Sequence, residues 1–235
     1  MDHTLKSVDA GLGALAHDVA ALGDLAVAQV RAAVDVFVRH DLAEAAKVVR
    51  GDDALDLQDA EIEKKAIRFI ALHQPVADDL RRPIAAMKIA MQLERCGDLA
   101  KNIGKRVGRM NAAAAEIQST PIAGLGRMAA DRLAAVVGAY RDGDAQAAYS
   151  VWLKDTELDE RHDGVLREIV AGMVAEPATV EDSTHLLFIA KNLERIGDHA
   201  TNIAEILHFQ MTGEELTGER PKLSLPDLEA EARGA

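Results

Sequence analysis

The sequence predicts an all-α protein of two tandem three-helix bundles, six helices in all, related by an internal duplication. Apolar residues recur at helical spacing through most of the 235 residues. Proline is scarce and aromatic side chains make up only 3% of the chain, which favours helices over strands. The segment LERCGDLAKNIGKR at 93–106 returns as LERIGDHATNIAEI at 193–206, with eight identical residues at a constant offset of 100.

Three helices are predicted in the first repeat. They run over 7–39, from 41 to about 72, and from about 78 to between 112 and 115. Asp41 is a candidate N-cap, since its side chain can accept a hydrogen bond from the first turn. The second helix should end before Pro75, because the residue before a proline avoids the helical region. Pro83 falls early in the third helix, where a proline is tolerated.

The second repeat is predicted to repeat this order. Its helices begin near 119, 144 and 180 and end near 141, 176 and 211. Ser119 or Thr120 is the expected N-cap of the fourth helix. Gly143 lies in the sequence Asp-Gly-Asp, which is typical of a turn, and Pro177 is expected to end the fifth helix. Positions from the first helix into the middle helix align at an offset of 103, for example Asp41 with Asp144 and Asp56 with Asp159. We therefore divide the chain into repeats at 1–115 and 116–212, with a tail at 213–235 that we expect to be disordered.

Composition narrows the class of protein. The formal net charge is −12, so no nucleic-acid partner is expected, because phosphate neutralisation needs clustered Lys and Arg. The single cysteine, Cys96, excludes a disulfide framework and fits a reducing cytoplasm. We find neither the pattern of a signal peptide nor an apolar run of about 18 residues that would span a membrane. We expect a cytoplasmic protein.

Each repeat carries two acid pairs at i, i+4 spacing, one on its middle helix and one on its last helix. The eight residues are Asp52, Asp56, Glu94, Asp98, Asp155, Asp159, Glu194 and Asp198. Two acids one turn apart repel by roughly a few tenths of a kcal/mol, so a cation, or an Arg or Lys, is expected to offset that cost. Neighbouring helices would bring four outward carboxylates into one groove. An all-oxygen cluster suits Mg, Ca, Mn or iron better than zinc alone.

Other interpretations of these residues stay open at this point. The acids would also suit a solvated helix face, and Arg95 and Arg195 would suit pairing with them in place of metal. Gly97 and Gly197 indicate either close approach of a neighbouring backbone or partner, or simple packing. A metal-dependent enzyme or a metal-storage bundle is the alternative function, although a ferritin-like oxidase would need Glu-x-x-His pairs that neither repeat has.

The repeated LER(I/C)GD-x-A-x-NI motif, the run DLRRPIAAMKIAMQLER at 79–95, and the segments GDDALD and KDTELD resemble the PhoU family. The resemblance covers residues 5–212. It implies two three-helix bundles related by pseudo-two-fold symmetry, in a cytoplasmic protein that is a homodimer. Two departures are visible: Cys96 replaces the usual Ile, and the second repeat lacks the run containing Arg81 and Arg82, so contacts made through those arginines would be one-sided.

The resemblance also implies a function. Proteins of this family bind multinuclear clusters of divalent or trivalent metal ions (Mg, Mn, Fe or Zn) through acid pairs that correspond to the eight residues above. They are negative regulators of the phosphate-starvation response and of phosphate uptake. They act as adaptors between the ATPase subunit of the phosphate ABC transporter and a sensor histidine kinase, and they meet the membrane through these partners only. The resemblance implies no enzymatic activity.

Overall fold

The computed structural model describes the backbone of residues 2–216 and the side chains of residues 7–111 and 120–216. Regular structure in this part of the chain is entirely helical, which confirms the predicted fold class. The helices are α1 Asp2–Arg39, α2 Leu42–His73, α3 Asp78–Val107, α4 Ala112–Asp142, α5 Ala145–Leu153, α6 Asp155–Ala175 and α7 Val180–Thr212, with a 3₁₀ turn at Pro177–Thr179 between the last two.

The first three helices pack together as one bundle, and α4 to α7 form the second, in which α5 and α6 share the place of a single middle helix. The two bundles are joined by contacts of α1 with α4 and of α3 with α7. Buried side chains of both bundles form one continuous apolar core. The repeats are therefore packed as one body.

Reciprocal glycine contacts show the symmetry between the repeats. A Cβ atom placed on Gly23 of α1 would lie 2.7 Å from Cγ1 of Val137 on α4. A Cβ atom on Gly126 of α4 would lie 2.6 Å from Cγ2 of Val34 on α1. Both pairs are related by the offset of 103. Because equivalent residues exchange partners across a two-fold axis, these contacts indicate pseudo-two-fold symmetry between α1 and α4.

The middle helix of each repeat begins at the same kind of cap. The carboxylate of Asp41 accepts hydrogen bonds from the backbone N–H groups of the first turn of α2, at 3.1 and 3.0 Å. Asp144 does the same at the start of α5, at 2.9 Å for both bonds. The residue before each cap has a positive φ, 48° at His40 and 64° at Gly143. The predicted cap at Asp41 is confirmed.

The fourth helix begins earlier than predicted, at Ala112 instead of Ser119 or Thr120. Asn111, which occupies the cap position, is extended and is held by α7. Its backbone N–H and its side-chain amide each donate a hydrogen bond of 3.0 Å to the carboxylate of Asp182. This tertiary contact fixes the start of α4, and Pro121 lies inside the helix.

The sequence predicted one continuous fifth helix. In the structure this segment is broken at Lys154 into α5 and α6. Arg132 of α4 reaches the break and donates hydrogen bonds to the backbone oxygens of Lys154 and Asp155, the latter at 3.3 Å. A side chain that enters the helical hydrogen-bond ladder is a recognised cause of such a break. The equivalent position in the first repeat is Gln29, and α2 is continuous there.

The Asn111–Asp182 contact predicts a pH-dependent stability. The two hydrogen bonds from Asn111, backbone first, lower the pKa of Asp182, so the folded state favours the carboxylate. This stabilisation is present above the ordinary pKa of about 3.9 and is lost as the pH falls through the lowered folded pKa. We expect Asp182→Asn to lower the free energy of unfolding by about 1 kcal/mol at pH 7, since the site is partly exposed.

Urea unfolding of the wild type and Asp182→Asn between pH 7 and pH 3 measures this effect. The difference should shrink toward acid pH. The neighbouring exposed variant Glu181→Gln should match the wild type throughout. A difference between Asp182→Asn and the wild type that stays constant over this range would contradict the expectation.

The end of the described chain packs back beside α3 and α7. Gly213 ends α7 with a φ of 76°, and Leu216 is half-buried against the core. Residues 217–235, where most of the predicted disordered tail falls, lie outside the described residues, and that part stays a prediction. None of the described helices is long and apolar enough to cross a membrane.

Candidate metal centre

The acids of the first repeat, Asp52, Asp56, Glu94 and Asp98, lie along the contact between α2 and α3, and we call them the first centre. Gly97 permits this close packing. A Cβ atom on it would lie 2.7 Å from Cδ1 of Leu55 and 3.3 Å from Oδ1 of Asp52. Gly197 meets Leu158 in the same way at 2.9 Å. Both glycines therefore pack against side chains of the middle helix.

Helical periodicity predicted that all acids of the first centre point outward. The structure shows that they do not. Asp52 is fully buried, Asp56 is exposed, and Glu94 and Asp98 are half-buried. Partial desolvation raises the pKa of the Asp56 carboxyl, and the nearby Asp52 carboxylate adds to the rise. Burial also raises the pKa of Glu94, although the adjacent Arg95 opposes that shift. These shifts are typical of carboxylates that are crowded together.

Two basic side chains pair with the first centre. The ammonium of Lys101, one turn after Asp98 on α3, donates a hydrogen bond to Oδ2 of Asp52 and lies 3.4 Å from Oδ1 of Asp98. Arg95 lies 3.4 Å from Glu94 and 3.7 Å from Asp98. The hydrogen bond to Asp52 is the first cause of the raised pKa of Lys101. The first centre is therefore partly closed by ion pairs within the chain.

The second centre consists of Asp155, Asp159, Glu194 and Asp198, at the contact of α6 with α7. Within the part of the chain that the structure describes, three carboxylates converge here alone. The oxygens of Asp159, Glu194 and Asp198 lie within 4.8 Å of one another. Lys191 lies 2.7 Å from Glu194 at the edge of this group. The three side chains are half-buried.

Asp155, one turn before Asp159 on α6, is buried and is bound from two other helices. Thr201 of α7 donates a hydrogen bond of 2.8 Å to its Oδ1, and Arg132 of α4 lies 3.5 Å from the same atom. Burial lowers the pKa of the Arg132 guanidinium, and the charge of Asp155 opposes that shift. The second oxygen, Oδ2 of Asp155, is buried and accepts no hydrogen bond among the described residues.

The chemistry of the second centre fits a divalent cation. Its donors are all carboxylate oxygens, which hard cations prefer. Among the described residues, Oδ2 of Asp155 is an unsatisfied buried acceptor, and so is Oδ1 of Asp52 in the first centre. Basic side chains contact acids of both centres: Lys101 contacts Asp52 and Asp98 in the first, and Lys191 contacts Glu194 in the second.

His199, next to Asp198 in the chain, faces the first bundle. Its Nδ1 lies 2.7 Å from Oε1 of Gln92 on α3. Burial lowers its pKa, and the charges of Arg195 and Arg95 add to this. His199 therefore helps to join α7 to α3, and its Nδ1 is occupied by that contact.

Sequence reasoning missed the basic partners of the buried acids. Lys101 could have been found, because it lies three residues after Asp98 and so shares its helix face. Arg132 could not, because it reaches Asp155 from another helix, and its counterpart in the first repeat is a glutamine, Gln29.

The fold and the sites define a class of protein: an internally duplicated, all-helical bundle with matching acidic centres at equivalent places in its two halves. The model of the PhoU domain matches this chain twice, over residues 19–107 and 122–207. Each match falls within one of the two bundles. The chain therefore belongs to the PhoU family, as the repeated motif indicated.

Similar proteins support this assignment over the full length of the fold. The phosphate-specific transport system accessory protein PhoU homolog of Caulobacter vibrioides is 49% identical over 225 residues, which cover 95% of this chain and 98% of the relative. The crystal structure of PhoU from Pseudomonas aeruginosa has a TM-score of 0.82 at 29% identity, covering 88% of this chain and 99% of that one. The crystal structure of the phosphate transport system regulatory protein PhoU from Streptococcus pneumoniae has a TM-score of 0.82 at 28% identity. The match covers 90% of this chain and 100% of that one.

Proposed function

We propose that the chain is a regulatory accessory protein of a phosphate-specific transport system, which limits phosphate uptake and represses the phosphate-starvation response when phosphate is plentiful. The observation that carries the proposal is the 49% identity, over nearly the whole of both chains, to a relative named as an accessory protein of the phosphate-specific transport system. The matching duplicated fold of a structure described as a phosphate transport system regulatory protein supports it.

The chain would act as an adaptor in the cytoplasm, between the ATPase subunit of the transporter and a sensor histidine kinase. Its two similar halves offer related surfaces to two partners at once. The net charge of −12 suits basic protein surfaces. Several large apolar side chains remain exposed on α2, α3, α6 and α7, among them Leu57, Met91, Val170 and Phe188. Exposed apolar side chains of this kind are available for protein contacts, including contacts within a homodimer.

Metal would be held by the carboxylates, with Asp159, Glu194 and Asp198 as ligands in the second centre. A bound divalent ion would neutralise charges that otherwise repel one another and would link α6 to α7. Asp155 would keep its bonds to Arg132 and Thr201 and would position the start of α6. In this arrangement the ion organises the surface for docking and carries out no reaction.

Alkaline phosphatase activity in phosphate-rich medium tests this function. The source strain with this gene deleted should show high activity, and complementation with the wild type should restore low activity. The variant Asp159→Asn/Glu194→Gln/Asp198→Asn should fail to restore it, because the carboxylates that would hold the ion are gone while the side-chain sizes are kept. Circular dichroism of the purified variant checks that it folds.

A matched control keeps the count of removed charges constant. The variant Glu160→Gln/Glu168→Gln/Glu181→Gln removes three exposed acids of α6 and α7 and should repress like the wild type. Low activity in the deletion strain would exclude the repressor role. Turnover of phosphoesters by the purified protein with added Mn or Mg would favour the metal-dependent enzyme instead.

A further inference from the structure

We infer that residues 217–235 dock back on their own chain, in a groove between the start of α3 and the end of α7. We call it the terminal groove, and its main lining residues are Arg81, Ile84, Lys88, Ile206, Phe209 and Leu216. The docked segment covers an apolar surface that the helices themselves leave open. The inference concerns neither acidic centre and does not depend on the proposed function.

The terminal groove is apolar and has room for further side chains. Its volume is about 470 Å³. Ile84 and Phe209 line it and are 39% and 41% exposed, while the neighbouring Ala85 is buried. A concave surface with large exposed apolar side chains is typical of a site that binds another apolar group.

The equivalent place at the other end of the two helices is covered by one of the chain's own side chains. At the offset of 100, Lys88 corresponds to Phe188 and Ile206 to Arg106. The guanidinium carbon of Arg106 lies 3.9 Å from the centre of the Phe188 ring, and its Nη1 lies 3.4 Å from Nδ1 of His185. Ile206 carries no charge and Lys88 carries no ring, so this cation–π contact has no counterpart in the terminal groove.

The chain after α7 turns into the terminal groove. Gly213 ends α7 with a φ of 76°, and a Cβ atom on it would lie 3.2 Å from the guanidinium nitrogens of Arg81. The backbone N–H of Glu214 donates a hydrogen bond of 3.0 Å to Oγ1 of Thr212, which fixes the turn. Leu216 is half-buried and lines the groove. Residue 217 therefore begins at the groove itself.

The segment that follows carries side chains that suit the groove. Residues 223–228 read LSLPDL, three leucines in an otherwise polar stretch. Such a stretch has too few apolar residues for a core of its own, but it can order on a surface formed by other elements. The seven residue steps from Leu216 to Leu223 can span up to about 25 Å, whereas Ile84 and Lys88 lie about 6 Å apart along α3. The leucines can therefore reach the groove without strain.

Charge also favours this occupant. Lys88 is exposed at the groove, and the acids Asp227, Glu229 and Glu231 lie among and after the leucines. The acid of α7 at the groove, Glu205, accepts a hydrogen bond of 3.0 Å from Nε1 of Trp152. Opposite charges beside an apolar contact favour association and help to orient it.

Trypsin digestion of the full-length protein tests the inference, with release of the C-terminal fragment followed by mass spectrometry. Trypsin cuts after Lys222, directly before the leucines. A docked segment must open before it is cut, so we expect cleavage there to be at least about tenfold slower than in a synthetic peptide of residues 217–235. The groove variant Ile84→Ser/Phe209→Ser should be cut at nearly the rate of the peptide. Leu57→Ser/Val174→Ser removes two exposed apolar side chains elsewhere and should keep the slow rate.

A variant of the segment keeps the test valid if the groove variant fails to fold by circular dichroism. Leu225→Ser/Leu228→Ser leaves the helices and the residues at the cleaved bond unchanged, and it should also be cut rapidly. Equal rates for the wild type and the peptide, or slow cleavage in the variants, would overturn the inference. The wild-type rate should not change on hundredfold dilution of the protein. Protection that is lost on dilution would show that a second copy supplies the segment, which would overturn docking within one chain.

Discussion

Replacing Arg132 with alanine is expected to lower the free energy of unfolding by about 3–5 kcal/mol, because it leaves the buried carboxylate of Asp155 without its counter-charge. Arg132 is only 9% exposed and lies 3.5 Å from Oδ1 of Asp155. It also donates hydrogen bonds to the backbone oxygens of Lys154 and Asp155, where α5 ends and α6 begins. The substitution therefore removes both a charge partner and the donor at the helix break.

Denaturant unfolding of the purified variants measures this loss. Arg127→Ala removes an exposed arginine from the same helix and should change stability by less than about 0.5 kcal/mol. Arg132→Ala/Asp155→Asn should cost less than the sum of the two single variants, because the second change removes the uncompensated charge. A loss below about 1 kcal/mol in Arg132→Ala would show that the ion pair contributes little.

Leucine at Gly126 is expected to lower the free energy of unfolding by about 3 kcal/mol through overpacking where α1 crosses α4. Even a Cβ atom there would lie 2.6 Å from Val34, which is buried. Valine is stiff at χ1 and cannot turn away without strain. The reciprocal contact of Gly23 with Val137 predicts a similar loss for Gly23→Leu.

A second-site change distinguishes overpacking from a general effect of leucine. Val34→Ala in the Gly126→Leu background makes room at the crossing and should recover about 1 kcal/mol or more of the loss. Gly138 lies on the same helix, where an added Cβ meets nothing within 4 Å, so Gly138→Leu should stay within about 1 kcal/mol of the wild type. If Gly126→Leu and Gly138→Leu lose stability equally, close packing at the crossing is not the cause.

The helices and the duplication were predictable because their signals lie close together in the chain. Apolar spacing placed α2 and α7 to within a residue or two, and the acid at Asp41 identified the cap of the middle helix. The predicted start of α4 was wrong, because Asn111 is fixed by Asp182 of a helix that is distant in sequence. The break at Lys154 was missed, because Arg132 reaches it from α4.

For the candidate site, the sequence identified the eight acids and their division between two equivalent places. It assigned the wrong exposure to Asp52 and Asp155, because periodicity on one helix does not show how deeply a neighbouring helix covers it. The sequence left two roles open for Gly97 and Gly197: close approach of a neighbouring backbone or partner, or simple packing. Contacts of Gly97 with Leu55 and of Gly197 with Leu158 show that they allow close packing of the middle and last helices.

The sequence by itself determined that this chain is a duplicated helical protein of the PhoU family with matching acid pairs, since residue identity and periodicity are properties of the chain order. Only the tertiary structure decided which cation faces each buried acid: Lys101 for Asp52 and Arg132 for Asp155. An ion pair depends on a few ångströms between helices that are far apart in sequence. A duplicated sequence can therefore keep its acids and still place its positive charges differently in each half.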